Sequence, residues 1–169
     1  MAATLEGYCL VWGTRSDTRY DWFEEEWYYV VIDPDTIDLD EFSFALFNHN
    51  WLGLPLGATD AATFRFEIDD FGLRVEIDLP DTTLGQDIEE LVRRGDVRGM
   101  SAEVWPLTTE ESLVDGVREI RMKSIAVTEA TVTHIPAVPA ARVRILGDES
   151  VSLRGDDEPV VETGFRPAA

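Results

Sequence analysis

Lysine is almost absent from this chain: Lys123 is the only one in 169 residues. Cysteine is as scarce, with Cys9 alone, and there are two histidines, His49 and His134. One cysteine excludes an internal disulfide framework, and one cysteine with two histidines makes no soft-ligand cluster for a transition metal. Cys9 sits in an apolar strand pattern, where a buried structural thiol is expected rather than a nucleophile. No apolar run approaches the ~20 residues of a membrane-spanning helix. The opening MAATLEGYCLVWG has no basic segment ahead of its apolar stretch, so no secretory signal and no membrane partner are expected. Positive charge is in short supply as well: 14 basic residues face 34 acidic ones, for a net charge of −20. Such a surface repels phosphate backbones, so no nucleic-acid partner is expected. It favours solubility, or a basic partner. There is no Gly-x-x-x-x-Gly-Lys loop to grip a nucleotide, and no cofactor is expected.

What is present reads as one domain with a real core, since 44% of the residues are hydrophobic and the length is too short for two comfortable domains. Thr4 to Trp12 reads as a first strand. WYYVVI is a second, stopped by the turn residues of DPD; the acidic, aromatic SDTRYDWFEEE before it reads as a loop. FSFALFN is a third. ATFRFEIDDFGLRVEIDL alternates apolar and charged residues on two arms and predicts a hairpin, with Phe64, Phe66 and Ile68 on one face of its arm and Leu73, Val75, Ile77 and Leu79 on one face of the other. LPDTTLGQDIEELVRRG predicts the one main helix: Thr82 or Thr83 caps it, Leu84, Ile88, Leu91 and Val92 form its apolar stripe, and Gly95 ends it. VRGMSAEVWPL, VREIRMKSIAV and EATVTHI predict three further strands. The sum is six or seven strands and one helix, an α+β fold with a mostly antiparallel sheet or barrel. Residues 1–140 form the expected domain, and the polar stretch 141–169 an expected tail, mobile or processed.

Three residues stand out for chemistry. His49, in FNHN, titrates near neutral pH and can take and return a proton; a loop histidine satisfied by hydrogen bonds is the plainer alternative. Ser101, in GMSAEVW, is on the face of its strand opposite Met100, Ala102 and Val104, which are expected to face the core; an ordinary surface serine is its alternative. Glu129, in VTEATVT, is an acid inside an apolar, β-branched strand and needs a partner if buried; an edge-strand charge is its alternative. A hydroxyl is a poor nucleophile until a base removes its proton, and the base works best when a third group fixes its tautomer. His49, Ser101 and Glu129 supply one of each. Glu103, two residues beyond Ser101 on the same face, and His134, five beyond Glu129, are rivals for the third place.

At this point the chain resembles a known family, the caudoviral prohead proteases of the HK97 type, which are capsid-maturation serine proteases. The matching pieces are GYCLVWGTRSD, FNHN followed by LPLG, the long run GLRVEIDLPDTTLGQDIEELVRRGDVRGMS, and VTEATVTHIPAVP, in the family's order and spacing from Leu5 to about Ala140. The resemblance implies an antiparallel β-barrel related to the herpesvirus assembly proteases, with helices around it. It implies a serine endopeptidase that acts in the host cytoplasm, inside the immature prohead. Its substrates would be the scaffold or the scaffold-like arm of the major capsid protein, and itself. It places the catalytic histidine on His49, the nucleophile on Ser101 and the third member on Glu129, and a homodimer is an expectation by analogy with the herpesvirus enzymes. Three departures matter: AEVW follows the serine where the family usually has Phe-Gly-Phe, AT follows Glu129 where the family often has Val-Ser, and YDWFEEEWYYVVIDPDTIDLDEF lacks the usual Pro-Gly-Ala-Phe piece. The altered residues after Ser101 and the net charge of −20 motivate a second reading, a catalytically silent scaffold or minor capsid protein of the same fold.

Overall fold

Ten strands and one helix form among residues 2–154, the part of the chain that the structure, a computed structural model, describes. In chain order they are β1 (Thr4–Val11), β2 (Arg19–Asp21), β3 (Glu26–Asp38), β4 (Phe44–Phe47), β5 (Gly57–Ala58), β6 (Phe64–Ile68) and β7 (Gly72–Asp78). Helix α1 (Thr83–Arg94) follows, then β8 (Gly99–Val114), β9 (Val117–Thr133) and β10 (Val143–Ile145). One sheet runs β10-β1-β7-β6; the other runs β2-β3-β9-β4-β5, with β8 on the opposite side of β9. β3 and β4 lie one after the other along a single edge of β9, and both are parallel to it. The expected antiparallel barrel is therefore corrected in two respects: the second sheet is mixed, and no closed barrel forms among the described residues. Closure requires the outer strands to pair with each other, whereas β6 and β10 remain the two ends of the first sheet.

One hydrophobic cluster joins both sheets and the helix. Leu5, Leu73, Val75 and Ile77 enter it from the first sheet, Met100, Ile125, Val127, Ala130 and Val132 from the second, and Ile88 and Val92 from α1. The hairpin of β6 and β7 pairs Phe64 with Ile77, Phe66 with Val75 and Ile68 with Leu73, so its two apolar sets share one sheet face. Phe64 is buried, but Phe66 and Ile68 are partly exposed because β6 is an edge. α1 starts and stops as its sequence predicts. Thr82 accepts from the Gly85 amide, and Gly95, in the left-handed region at φ 76°, ties its own amide to the last turn. Glu6, buried on β1, receives Arg74 from β7 at 2.7 Å and Arg144 from β10 at 2.9 Å. Burial alone would raise its pKa; the two guanidinium hydrogen bonds hold it below the usual value.

Ten strands form where six or seven are expected: β2 lies inside the expected loop SDTRYDWFEEE, β5 begins at the end of the turn WLGLPLG, and β8 runs on to Val114 past the expected end at Leu107. The structure also departs from the sequence expectation in three other places. DPD does not end the second strand: β3 continues to Asp38, and its register against β9 shifts between Ile32 and Thr36. The proline, which has no amide to give a ladder, falls in that irregularity. Lys123 reaches across to it, with Nζ 3.0 Å from the Asp33 carbonyl and 3.2 Å from Asp35. The expected strands VREIRMKSIAV and EATVTHI are one strand, β9, folded onto β8 through Asp115-Gly116, both at positive φ, as a two-residue hairpin turn demands. Of the expected tail, Val143–Ile145 pairs with β1, and everything beyond residue 154 lies outside the described residues.

Gly85 generates a testable consequence. A Cβ there would come 1.9 Å from the Pro80 carbonyl oxygen, so α1 is pressed against the chain that leads into it. Alanine is normally better than glycine in a helix by about 1 kcal/mol. Here Gly85→Ala is expected instead to lower stability by about 1–3 kcal/mol, the usual cost of overpacking, read as a lower urea midpoint.

Candidate functional site

Glu129 lies where strict alternation along β9 would not put it. Ile125 and Val127 face the core, so Glu129 should follow them inward. The β8–β9 register instead runs Glu103↔Glu129 and then Val104↔Val127, leaving Thr128 as an extra residue. Such a bulge re-aims the side chains beyond it. Ala130 and Val132 become the core residues, while Glu129, Thr131 and Thr133 turn to the opposite face. The bulge is tied down by Thr128 Oγ1, which donates to Glu103 Oε2 at 2.8 Å.

β8 carries no insertion between Gly99 and Pro106. Met100, Ala102 and Val104 pack on the core, and Ser101 and Glu103 share the face of Glu129. Ser101 is the direct cross-strand partner of Thr131, and Glu103 that of Glu129. Ser101 and Glu129 are therefore diagonal neighbours, about 7–8 Å apart at that spacing. Ser101 is largely buried, at 8% exposure.

His49 comes to this face from the other side of β9. β4 runs beside it, with Phe44 opposite Glu129 and Leu46 opposite Thr131. The chain then turns back sharply: Asn48 and His49 have φ of 51° and 54°, a region that asparagine and histidine enter more readily than most residues. Three hydrogen bonds hold the turn. The Asn48 amide donates to the Val132 carbonyl at 3.0 Å, the His49 amide to Thr131 Oγ1 at 2.9 Å, and Thr133 Oγ1 to Asn48 Oδ1 at 2.8 Å. The imidazole lands on the carboxylate, with Nδ1 2.5 Å from Glu129 Oε1. Glu129 is completely buried and its Oε2 takes no hydrogen bond from any described residue. The imidazole side chain stays 43% exposed.

Of the residues singled out from sequence, the structure thus joins His49 to Glu129 directly and sets Ser101 beside them by strand register. Among the hydrogen bonds of the described residues, none links Ser101 to His49. Glu103 occupies the same face. His134 is exposed beyond the end of β9 and takes no part in the His49–Glu129 pair. The threonines are what the sequence reading missed. Glu129, Thr131 and Thr133 recur at every second position, a polar stripe within an apolar strand that marks one face.

The electrostatics favour a charged imidazole. The hydrogen bond to Glu129 raises the His49 pKa above its ordinary value of 6.5; partial burial opposes this, and the charges of Glu129 and Glu103 add to the rise. By linkage the pair stabilises the fold fully below the ordinary imidazole pKa, and that contribution is lost as pH rises through the elevated one. In the neutral form, Nδ1 donates its hydrogen to Glu129 and Nε2 presents a lone pair. That is the tautomer a general base requires. Cys9 offers no competing nucleophile, since its burial pushes the thiol pKa up and Glu129 adds to the shift. No group of three or more metal-ligating side chains occurs among the described residues.

With this geometry in view, comparison with known proteins gives one finding. A family model described as caudovirus prohead serine protease matches residues 1–153. No curated protein and no solved structure matches the chain.

Two variants test the electrostatics of the pair. Glu129→Gln removes the principal hydrogen-bonded charge and leaves burial unopposed, so the His49 pKa falls. Glu103→Gln removes a lesser charge and lowers it by less. NMR titration of the two imidazoles reads both, with His134 as reference in the same sample. An unchanged His49 titration in Glu129→Gln contradicts the assignment.

Proposed function

The chain belongs to the caudovirus prohead serine protease family, and on that premise we propose that Ser101, His49 and Glu129 are its nucleophile, general base and orienting carboxylate. A protease of this family acts on capsid proteins within the procapsid in the host. The finer reading is ours: an endopeptidase that cuts the scaffold, or the scaffold-like arm of the major capsid protein, and its own chain. The observation that carries it is the hydrogen bond between His49 Nδ1 and Glu129 Oε1 on the sheet face that also bears Ser101.

The chemistry follows from the tautomer. His49 Nε2 takes the proton from Ser101 Oγ as that oxygen attacks the scissile carbonyl. The imidazolium that results has Glu129 against Nδ1 and feels the charge of Glu103, so the positive charge is stabilised where it forms. It then gives its proton to the departing amine, leaving an acyl-enzyme on Ser101. Water, deprotonated by the same nitrogen, releases the second product. Because the base must be neutral, activity rises with pH through the elevated His49 pKa. The silent structural reading has no particular observation in its favour; a histidine held on a buried carboxylate is a costly arrangement for a passive wall.

Co-expression with the cognate capsid protein, followed by mass spectrometry, tests the reading. The wild-type chain is expected to shorten the capsid protein or its scaffold. Ser101→Ala is expected to leave them intact, a loss of about 10⁴–10⁶-fold in rate. Fluorophosphonate labelling of Ser101 should likewise disappear in His49→Ala. Processing by the Ser101→Ala chain refutes the assignment.

A further inference from the structure

We propose that a basic cavity at the start of β8 takes a short acidic stretch of the polypeptide substrate, a few residues from the bond that is cut. That the ligand is a substrate rests on the protease reading above; the preference of the cavity for carboxylates does not.

The cavity, about 710 Å³, lies between the end of α1, the loop after β9 and strand β10. Five of the chain's 14 basic residues line it, namely Arg93, Arg94, Arg98, Arg142 and Arg144, and His134 joins them. Asp96 and Asp148 are its carboxylates. Three of the arginines are already paired: Arg93 with Glu89, Arg94 with Asp96, and Arg144 with Glu6. The other two are different. Arg98 donates through Nε to the Gly95 carbonyl at 2.8 Å, and neither Arg98 nor Arg142 has a carboxylate partner among the described residues. Arg98 and Arg142 thus bring two guanidinium groups without carboxylate partners to one cavity, where an anion can bridge them.

The cavity comes within two residues of Ser101 along β8. Gly99 lines it, and Gly99 and Ser101 share a strand face two residues apart, about 7 Å at the usual rise. Pro136 seals Gly99 from above: a Cβ on Gly99 would come 2.7 Å from its ring. An extended peptide advances about 3.3–3.6 Å per residue, so one that crosses Ser101 and passes over Pro136 brings side chains two to four positions along to the guanidinium groups.

Guanidinium groups bind carboxylate and phosphate alike. Two features select the peptide. Pro136, Pro139 and Ile145 give the cavity apolar surface that suits side chains between the acids. The net charge of −20 repels a phosphodiester chain wherever it extends beyond the cavity.

The test uses the full-length Ser101→Ala protein, so that binding is read without cleavage. The ligands are a fluorescein-labelled hexapeptide containing three glutamates, the same peptide with glutamines, and hexathymidylate, compared by fluorescence anisotropy. The glutamate peptide is expected to bind at least tenfold more tightly than either of the others. Adding Arg142→Gln, which removes a side chain that makes no hydrogen bond to a described residue, is expected to weaken it about tenfold with an unchanged circular dichroism spectrum. Adding Arg98→Gln as well should weaken it further. Equal binding of the glutamine peptide, tighter binding of the oligonucleotide, or indifference to Arg142→Gln overturns the proposal. If the glutamate peptide binds as expected and the wild-type chain cuts nothing, the protease reading fails and the anion preference stands.

Discussion

A carboxylate cut off from water has to be paired, and in this protein the pairing of Glu129 with His49 organises everything around it. Removing the partner of a buried carboxylate is destabilising, because the acid is left charged and unsolvated. The ring is therefore held over β9 by the needs of the carboxylate as well as by its own backbone hydrogen bonds. The bulge at Thr128 turns the acid to this face, and the left-handed Asn48 and His49 bring the ring back to meet it. Each non-glycine residue in such a conformation is a local cost, of order 1–3 kcal/mol at its highest. The hydrogen bonds to Val132, Thr131 and Thr133 offset it. The FNHN sequence has its explanation here. Asparagine and histidine tolerate the turn, the Asn48 side chain accepts from Thr133, and the imidazole is the group that the buried acid requires.

Elements governed by local chemistry were legible in the sequence. α1 was readable from its cap, its stripe and its terminal glycine, and the β6–β7 hairpin from its alternation. What failed was whatever depends on a neighbouring strand. DPD carries every mark of a turn, yet β9 holds β3 extended through it, with Lys123 against the irregularity. Val-Asp-Gly-Val was a hairpin signal in plain view, hidden because the strand before it was expected to stop at Leu107, well short of the turn. Phe66 and Ile68 alternate correctly, but alternation cannot say whether anything covers an edge.

The site divides in the same way. Met100, Ala102 and Val104 inward, with Ser101 outward, follow from period two. The face of Glu129 does not, because the bulge that reverses it is set by its pairing with β8. The meeting of His49 and Glu129, 80 residues apart, is beyond any local pattern. It was accessible only through resemblance to a family, and the sheet register supplies the physical reason: β4 and β8 flank β9 on its two sides, so the residues at their ends converge on one strip of that strand.

Charge acts at two ranges in such a molecule. At long range the −20 surface draws in polypeptides that are basic on the whole and repels acidic ones, and this field fades over a Debye length of about 8 Å at physiological salt. At contact range the groups beside Ser101 are unlike one another. Arg98 and Arg142 lie toward the Gly99 end of β8, and Glu103 two residues beyond the serine in the other direction. A chain laid along β8 therefore meets positive charge on one side of Ser101 and negative on the other. The segment that fits best is acidic on one flank only, within a polypeptide whose remainder is not. Because β8 is anchored on both sides near the serine, by β9 and by the Gly99–Arg142 bridge, these charges keep a fixed order and spacing. A fixed order of unlike charges orients as well as attracts: a segment entering in the reverse direction sets its acidic flank against Glu103 and leaves Arg98 and Arg142 without a carboxylate.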